Sequence, residues 1–482
     1  MTLSTLTPEL KLEIAEYLDP ESSLSFALTC GTHLELCRSI LRKHRQLFSQ
    51  WQVIDTANCG TLLWKTLKEV LDDPRKGWYV RELNLPMTRQ YQWDTGHLPI
   101  SDGPSDEEKD MFKEAARKLE NLYPTIEKRS NPDGTSQPYN KVVTNLEIRI
   151  NEGFDDAIVA ILLHYLPFLT SIRITDIETS CLELMMESIA HGYKEPGKAS
   201  LLPLQHLTTA AVAHWASEGP SHPEWACYFL AIPSLRIFAA EAMGSGFHDC
   251  LLKEAPSCSN VEELFFKRCS FDVKALEEIL AETKELKKFT YTGGGATVSE
   301  HNFYDPRRVV EALGRQVGNS LEELVLELHD DDVEWNEETD LRHVTLRNFK
   351  KLELLNCDLQ IVRPTADEVS EDEEPLQHGY YRKEDCANIK SEFDVRTLFP
   401  ESLQELYMHD AFEDDEGIYG EWDHMNEVFS SPSTFTPNLT LEKTYIEKRR
   451  NGVTEAVIGG AEKPVSIYRH PLTRLFYGHG IA

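Results

Sequence analysis

The sequence has few positive charges for its length. Its 482 residues carry 49 Lys and Arg against 81 Asp and Glu, a formal net charge of −32 at pH 7. A surface that follows nucleic-acid phosphates needs clustered cations, so this balance argues against nucleic-acid binding. Long hydrophobic runs are also missing, since no stretch approaches the roughly 18 apolar residues of a membrane span. We therefore expect neither a nucleic acid nor a membrane as partner.

Paired cysteine motifs and a secretory leader are missing as well. The 10 cysteines stand at irregular spacings, without CxxC pairs or finger-like Cys/His spacing, which favours reduced and mostly buried thiols. The amino terminus has no basic flank and no apolar core before Glu9, Lys11 and Glu13. We expect a cytoplasmic or nuclear location, or both.

Recognisable catalytic motifs are scarce. Residues 293–295 are three glycines after a strand-like segment, but they lack the Lys-Ser/Thr pair of a phosphate loop. His329 beside Asp330 and His409 beside Asp410 are metal-ligand types without HExxH or comparable spacing. There is no GxSxG elbow. We expect no catalytic residue, no cofactor and no metal, and an enzyme that binds a metal through these histidines remains an alternative.

The first fifty residues show clear helix boundaries. Thr7 is a candidate N-cap before Pro8 and Glu9, the position where proline loses no hydrogen bond and an acid faces the positive helix end. Residues 19–20 are Asp-Pro, which ends this helix and begins a second, and residues 30–31 are Cys-Gly, which ends the second. The pattern predicts three short helices, which bury too little surface to be stable without a partner.

Apolar residues recur at helical spacing through these helices. The predicted stripes are Leu10, Ile14 and Leu18, then Leu24 and Leu28 with Phe26 and Ala27 beside them, then Leu34, Cys37, Leu41, Phe48 and Trp51.

These residues resemble an F-box. The order and spacing match over most of the motif: Leu6-Thr7-Pro8-Glu9-Leu10, Ile14, Tyr17-Leu18-Asp19-Pro20, Ser23-Leu24, Leu28 and Cys30. The resemblance implies a three-helix module over residues 1–50 that docks on the Skp-type adaptor of a cullin-RING ubiquitin ligase. The residues that it implies at or just beneath the adaptor interface are Leu6, Pro8, Glu9, Leu10, Ile14, Leu18, Leu24 and Leu28. An ordinary small helical bundle is the alternative.

The rest of the chain repeats an apolar triplet at positions one, four and six. Each triplet predicts one short strand: Leu169/Ile172/Ile174, Leu235/Phe238/Ala240, Val261/Leu264/Phe266, Leu286/Phe289/Tyr291, Leu321/Leu324/Leu326, Phe349/Leu352/Leu354 and Leu403/Leu406/Met408. Weaker or outlying members are Leu204/Leu207, Val80/Leu83/Leu85, Val143/Leu146/Ile148 and Leu472/Leu475. Several steps between middle residues fall in the roughly 20 to 29 residue range of leucine-rich repeats.

Helix-like stretches lie between these strands, for example 272–284 and 306–317. A strand, turn and helix unit cannot bury its apolar face alone, so stacked units with parallel strands are expected. The pattern resembles the divergent leucine-rich-repeat F-box proteins common in filamentous fungi. The predicted fold class is α/β, with the F-box followed by an irregular leucine-rich-repeat-like solenoid. An irregular α/β domain is the alternative.

Several segments interrupt the array. We expect a helical linker and first irregular repeat over 51–141, with a flexible insertion around one helix at 107–122. The repeat array would occupy 142–360, an acidic disordered insertion 361–395, and terminal repeats with a cap 396–482.

Acidic patches follow the strand at Leu324 (330–332) and the strand at Leu406 (413–416), and a third run lies at 367–374. They favour a basic protein partner, or they are solvated loops that keep the chain in solution. Ser370, followed by three acids, is a candidate phosphorylation site.

Together these features predict the substrate-recognition subunit of a Skp/cullin/F-box-type ubiquitin ligase. The F-box would bind the adaptor, the repeats would bind an unidentified target protein, and the bond chemistry would lie on other chains. A non-ubiquitylating acidic repeat scaffold for protein interactions is the alternative.

Overall fold

A computed structural model shows an α/β protein. The structure describes residues 6–57, 62–86, 103–123, 126–130, 136–175, 180–214, 220–244, 259–271, 273–281, 283–293, 306–328, 344–358, 361, 395–409, 425–450 and 453–462. Within these residues twelve strands form a mostly parallel sheet, and the chain divides into two compact units, Met1–Ala210 and Ala211–Ala482. The described helices include none that is long and apolar enough to cross a membrane.

The first unit begins with three helices and continues with a mixture of strands and helices. In chain order they are α1 Pro8–Tyr17, α2 Pro20–Leu28, α3 Gly31–Trp51, β1 Val53–Asp55, α4 Leu62–Asp72, a 3-10 turn Pro74–Tyr79, β2 Glu82–Leu85, α5 Asp106–Lys118, β3 Ile126–Ser130, β4 Ser136–Asn140, α6 Lys141–Glu152, α7 Asp155–Leu162, β5 Ser171–Thr175 and α8 Ser180–Lys194. Strand β6, Thr209–Ala213, spans the division.

The second unit is dominated by strands. Its elements are α9 Glu224–Leu230, β7 Ile237–Glu241, β8 Glu263–Cys269, α10 Val273–Ala281, β9 Lys288–Gly293, α11 Pro306–Gln316, β10 Glu323–Leu328, β11 Leu354–Asp358, β12 Glu405–His409, β13 Thr444–Arg450 and β14 Val453–Ile458. Neighbouring strands from β7 to β13 are parallel and follow chain order, and β14 pairs antiparallel with β13.

The three predicted amino-terminal helices are confirmed. Pro8 and Pro20 occupy first helical positions, and the Asp19 carboxylate accepts the backbone N–H groups of Glu21 (3.0 Å) and Ser22 (2.9 Å). The helical module, defined here as α1 to α3, has a small core of its own, with Leu12, Leu18 and Leu41 packed against Ala15, Phe26, Ala27, Cys37 and Ile40. Thr7 is at the predicted N-cap position, but its side chain makes no capping hydrogen bond to the helix.

The apolar triplets predict most of the sheet. The middle residues Phe238, Leu264, Phe289 and Leu324 are buried side by side on neighbouring strands of the second unit, and Leu406 continues the row beyond Leu355 of β11. Phe266 is fully buried one step further along this face, with its ring centroid 4.9 Å from Phe271 and 6.0 Å from Phe289. Burying one such side chain contributes about 1.5–3 kcal/mol, so this row stabilises the sheet strongly.

Three assignments from the triplets are wrong. The strand predicted around Leu352 starts at Leu354, and Leu355 is the residue paired with Leu324. The buried middle residue of this strand is therefore Leu355 rather than Leu352. The step from Leu324 to Leu355 is longer than the roughly 20 to 29 residues of a leucine-rich repeat. Likewise, the strand predicted at Leu204/Leu207 lies at Thr209–Ala213. Both errors arise because a leucine in the loop before the strand has the same spacing as the strand residues.

The third wrong assignment is Val143/Leu146/Ile148, which lies within α6 rather than in a strand. Val142, Val143, Leu146 and Ile150 are the buried side chains of this helix. Spacings of three and four residues put them on one helical face, and this period overrides the strand-like triplet. Ile148 is exposed on the opposite side.

Cysteines behave as predicted in the part of the chain that the structure describes. None of the six cysteines there forms a disulfide, and five of them, Cys37, Cys181, Cys227, Cys269 and Cys357, are buried.

Candidate functional site

Exposed large apolar side chains concentrate on the helical module. Among the described residues eleven such side chains are exposed, and six of them lie between positions 10 and 34. These six, called here the apolar face, are Leu10, Ile14, Tyr17, Leu24, Leu28 and Leu34. The other five are scattered one at a time: Val53, Ile148, Leu201, Leu441 and Val457. Single exposed apolar residues are ordinary, whereas a concentrated set marks an interaction surface.

Helical geometry explains how α1 divides its apolar residues. Leu10, Ile14 and Tyr17 follow one another by four and three residues, which keeps them on one face. Leu12, Ala15 and Leu18 occupy another face and pack into the module core. In α2, Leu24 and Leu28 are one turn apart and exposed, while Phe26 and Ala27 are buried. Each helix therefore has one apolar stripe for the core and a second one for solvent.

Most of the sequence-predicted site residues are accessible. Pro8, Glu9, Leu10, Ile14, Leu24 and Leu28 are exposed, and Leu6 and Leu18 are half-buried. Leu18 does not continue the exposed stripe, because it packs against the core. Leu18 comes eight residues after Leu10, which is more than two helical turns. Tyr17 comes seven residues after Leu10, so it lies close to the same side of the helix.

Tyr17 takes the place that was predicted for Leu18. Its side chain is 75% exposed, the largest exposed fraction in the apolar face. Leu34, near the start of α3, is also exposed, and the sequence pattern predicts it only as a member of the apolar stripe of the third helix. The seven-residue spacing from Leu10 was the signal available for Tyr17.

Charges on the module stabilise its helix starts. Hydrogen bonds from the backbone N–H of Glu9 and from the Thr7 hydroxyl lower the pKa of the Glu9 carboxyl. Burial works against ionisation of Asp19, but hydrogen bonds from Ser22 and from backbone N–H groups win and lower its pKa. Both acids sit at helix amino termini, where a negative charge is favourable.

A second cluster of functional side-chain types lies on the neighbouring strands β11 to β14. His409 Nδ1 is 3.1 Å from Glu447 Oε1, and its Nε2 is 3.0 Å from Asn356 Oδ1. The Glu447 carboxylate also accepts the hydroxyls of Tyr445 (2.6 Å) and Thr454 (3.2 Å). These bonds join β11, β12, β13 and β14, so the cluster ties the last strands together.

This cluster contains His409, one of the histidines of the alternative in which the chain is an enzyme that binds a metal. Within the described ranges, no three His, Cys, Asp or Glu side chains are arranged to hold a metal ion. His329, Asp330 and Asp410, which completed that alternative, lie outside the described residues, as do Ser370 and the three acidic patches.

The sequence patterns missed a buried ion pair on the sheet. Lys267 Nζ is 3.0 Å from Glu241 Oε1, and both side chains are almost completely buried. They occupy paired positions on β7 and β8. Strand alternation places both residues on the same sheet face as the buried Ala239 and Phe265, and charged residues at these positions give no sign in the sequence that the face is covered here.

Comparison of the chain with protein-family models and with curated proteins gives no match. The apolar face and the sequence motif that it carries are the features of the chain that bear on its function.

Proposed function

We propose that this chain is the substrate-recognition subunit of a Skp/cullin/F-box-type ubiquitin ligase. The helical module is the F-box and binds a Skp-type adaptor through the apolar face. The strand and helix units that follow form an irregular leucine-rich-repeat solenoid and bind the target protein. The single observation that supports the proposal is the apolar face, which coincides with the residues that resemble an F-box and leaves six large apolar side chains exposed on three helices.

The module core and the apolar face would both contribute to the stability of the module once an adaptor is bound. Ala15, Phe26, Ala27, Cys37 and Ile40 are few and mostly small, so the isolated module buries little apolar surface. Covering Leu10, Leu24 and Leu28 with an adaptor would remove their exposed surface from water at about 25 cal/mol per Å². Adaptor binding thus stabilises the module as well as recruiting the ligase.

The chain would contribute positioning rather than bond chemistry. A target held on the same chain as the adaptor meets the ubiquitin-charged enzyme at a high effective concentration. Lysines of the target then react without a bimolecular encounter.

The test is adaptor binding by a variant that changes only exposed residues. Leu10→Ala/Leu24→Ala shortens both stripes of the apolar face and leaves the core intact. Truncating apolar anchors costs about 2 kcal/mol or more, so we expect at least about a thirtyfold loss of affinity for a purified Skp-type adaptor. Affinity purification with mass spectrometry would show adaptor and cullin with the wild type only.

The matched control is Ile148→Ala/Leu201→Ala, which truncates two exposed apolar residues of the same unit outside the apolar face. The control variant should bind the adaptor like the wild type. Undiminished adaptor recovery with Leu10→Ala/Leu24→Ala contradicts the proposal. Recovery of the adaptor without cullin from wild type would favour the acidic scaffold instead.

A further inference from the structure

The helical module is joined to the strands of its own unit without a linker. Helix α3 ends at Trp51, and Gln52 alone separates it from β1. The Gln52 carbonyl accepts the backbone N–H groups of Arg81 (2.9 Å) and Glu82 (3.0 Å). Gln52, which follows α3, is therefore hydrogen-bonded to the start of β2.

Arg81 is a half-buried cation at this junction. Its guanidinium carbon lies 5.3 Å from the ring centroid of Phe48 on α3 and 5.2 Å from that of Phe168, which precedes β5. Its Nη1 donates to the carbonyls of Trp78 (2.7 Å) and Val80 (3.2 Å), and 14% of the side chain is exposed. The two rings and the hydrogen bonds act on the same planar guanidinium, so together they hold it in one orientation.

The same residue reaches two further elements. Nη2 of Arg81 is 3.6 Å from the Glu21 carboxylate on α2. The Arg81 carbonyl accepts the backbone N–H groups of Thr170 (2.9 Å) and Ser171 (3.0 Å) and the Thr170 hydroxyl (3.0 Å). Arg81 thus contacts α2, α3 and β5 at once.

His44 provides a second link on α3. Its Nδ1 is 2.7 Å from the Tyr79 hydroxyl and its Nε2 is 3.2 Å from the Ser23 hydroxyl of α2. Tyr79 is buried, and the Ser23 hydroxyl lies 3.2 Å from the Ala15 carbonyl of α1. This chain of contacts runs from the 3-10 turn before β2 to the first helix.

We propose that Arg81 is a positioning residue, which sets the direction of the helical module relative to β2 and β5 of the same unit. Its guanidinium holds α2 and α3 against these strands through the two rings and Glu21, and His44 supports it. The inference that this sets the direction of a bound adaptor rests on the proposed function. The inference about the module itself does not.

The test measures the direction of the module without any partner. In the full chain, spin labels on unnatural amino acids at the exposed positions Glu16 of α1 and Ser200 report one distance distribution within the unit. Wild type should give one narrow distribution. Arg81→Ala should make it about twofold wider, because a stiff junction then behaves as a flexible one. Arg81→Lys, which keeps the charge but loses the planar fork, should fall between the two.

The matched control is Arg75→Ala, which removes an arginine of the same region that is half exposed and pairs with Asp73. It should leave the distribution unchanged. If Arg81→Ala does not fold, Phe168→Leu removes one of the two rings and should give a smaller broadening. A broad wild-type distribution contradicts the proposal, and so does a narrow one in the folded Arg81→Ala or Phe168→Leu protein.

Adaptor assays separate this inference from the proposed function. Arg81→Ala should bind the adaptor within about twofold of wild type, since the apolar face is untouched, while ubiquitin transfer falls about tenfold as orientation is lost. If wild type does not bind the adaptor, the proposed function fails, while the distance measurement still decides the role of Arg81.

Discussion

The helical module and the parallel sheet of the second unit use leucine in opposite ways. In the sheet, Leu264, Leu324 and Leu406 are buried in one in-register row. In the module, Leu10 and Leu28 are 46% and 67% exposed on well-formed helices. The same side chain stabilises the fold in one region and remains available in the other. The proposed adaptor binding predicts this difference, because a module that folded without a partner would have no reason to expose its leucines.

The largest contrast is expected between a sheet residue and a module residue. Phe266→Ala leaves a cavity among Phe238, Phe271 and Phe289, so we expect about 3–5 kcal/mol less free energy of unfolding. Leu28→Ala should change it by less than about 0.5 kcal/mol, because the side chain is already in water. Chemical denaturation of both variants checks this. Equal losses would mean that the module leucine is part of the core.

The next effect concerns binding and divides neighbouring residues of α1. Tyr17→Ala should weaken adaptor binding by about 2 kcal/mol, because truncation of an interface tyrosine commonly has an effect of this size. The free energy of unfolding should not change. Leu18→Ala should instead lower the free energy of unfolding, since it packs on the core. Titration calorimetry together with thermal melting measures both. The interpretation of the apolar face is wrong if the two variants exchange these effects.

The smallest expected effect is a pH dependence in the module. Burial, followed by the nearby Lys43 charge, lowers the pKa of His44, with Asp19 opposing this. The unfolded chain then binds the proton more tightly, so the stability from neutral His44 is complete above about pH 6.5 and declines as the pH falls below it.

Hydrogen exchange of α2 amides between pH 7 and 5 checks this decline, after correction for intrinsic rates. His44→Gln should reduce the pH dependence, and His191→Gln, at an exposed position, should keep it. A pH dependence that is the same in His44→Gln as in wild type would rule out His44 as its source.

The local fold was largely predictable where the chain has strong stop and start signals. Asp19 with Pro20 ends α1 and begins α2 at the predicted place, and the triplets around Phe238 and Leu264 locate β7 and β8. Such signals act within a few residues, so they can be read without knowing the tertiary structure.

Other features depend on contacts between distant segments. The seven-residue spacing from Leu10 favours Tyr17 for the exposed stripe, but only the packing of α1 on the other helices shows that Leu18 belongs to the core. The position of Arg81 between Phe48 and Phe168 joins residues far apart in sequence, and no local pattern predicts it. The His409 and Glu447 pair arises in the same way, through strand register.

The most direct test of the account is a titration of purified Skp-type adaptor against the full chain, with Leu10→Ala/Leu24→Ala and Ile148→Ala/Leu201→Ala beside the wild type. We expect tight binding by wild type and by the control variant, and at least about a thirtyfold loss of affinity for the variant of the apolar face at unchanged thermal stability. Equal binding by all three proteins, or no binding by the wild type, would contradict this expectation.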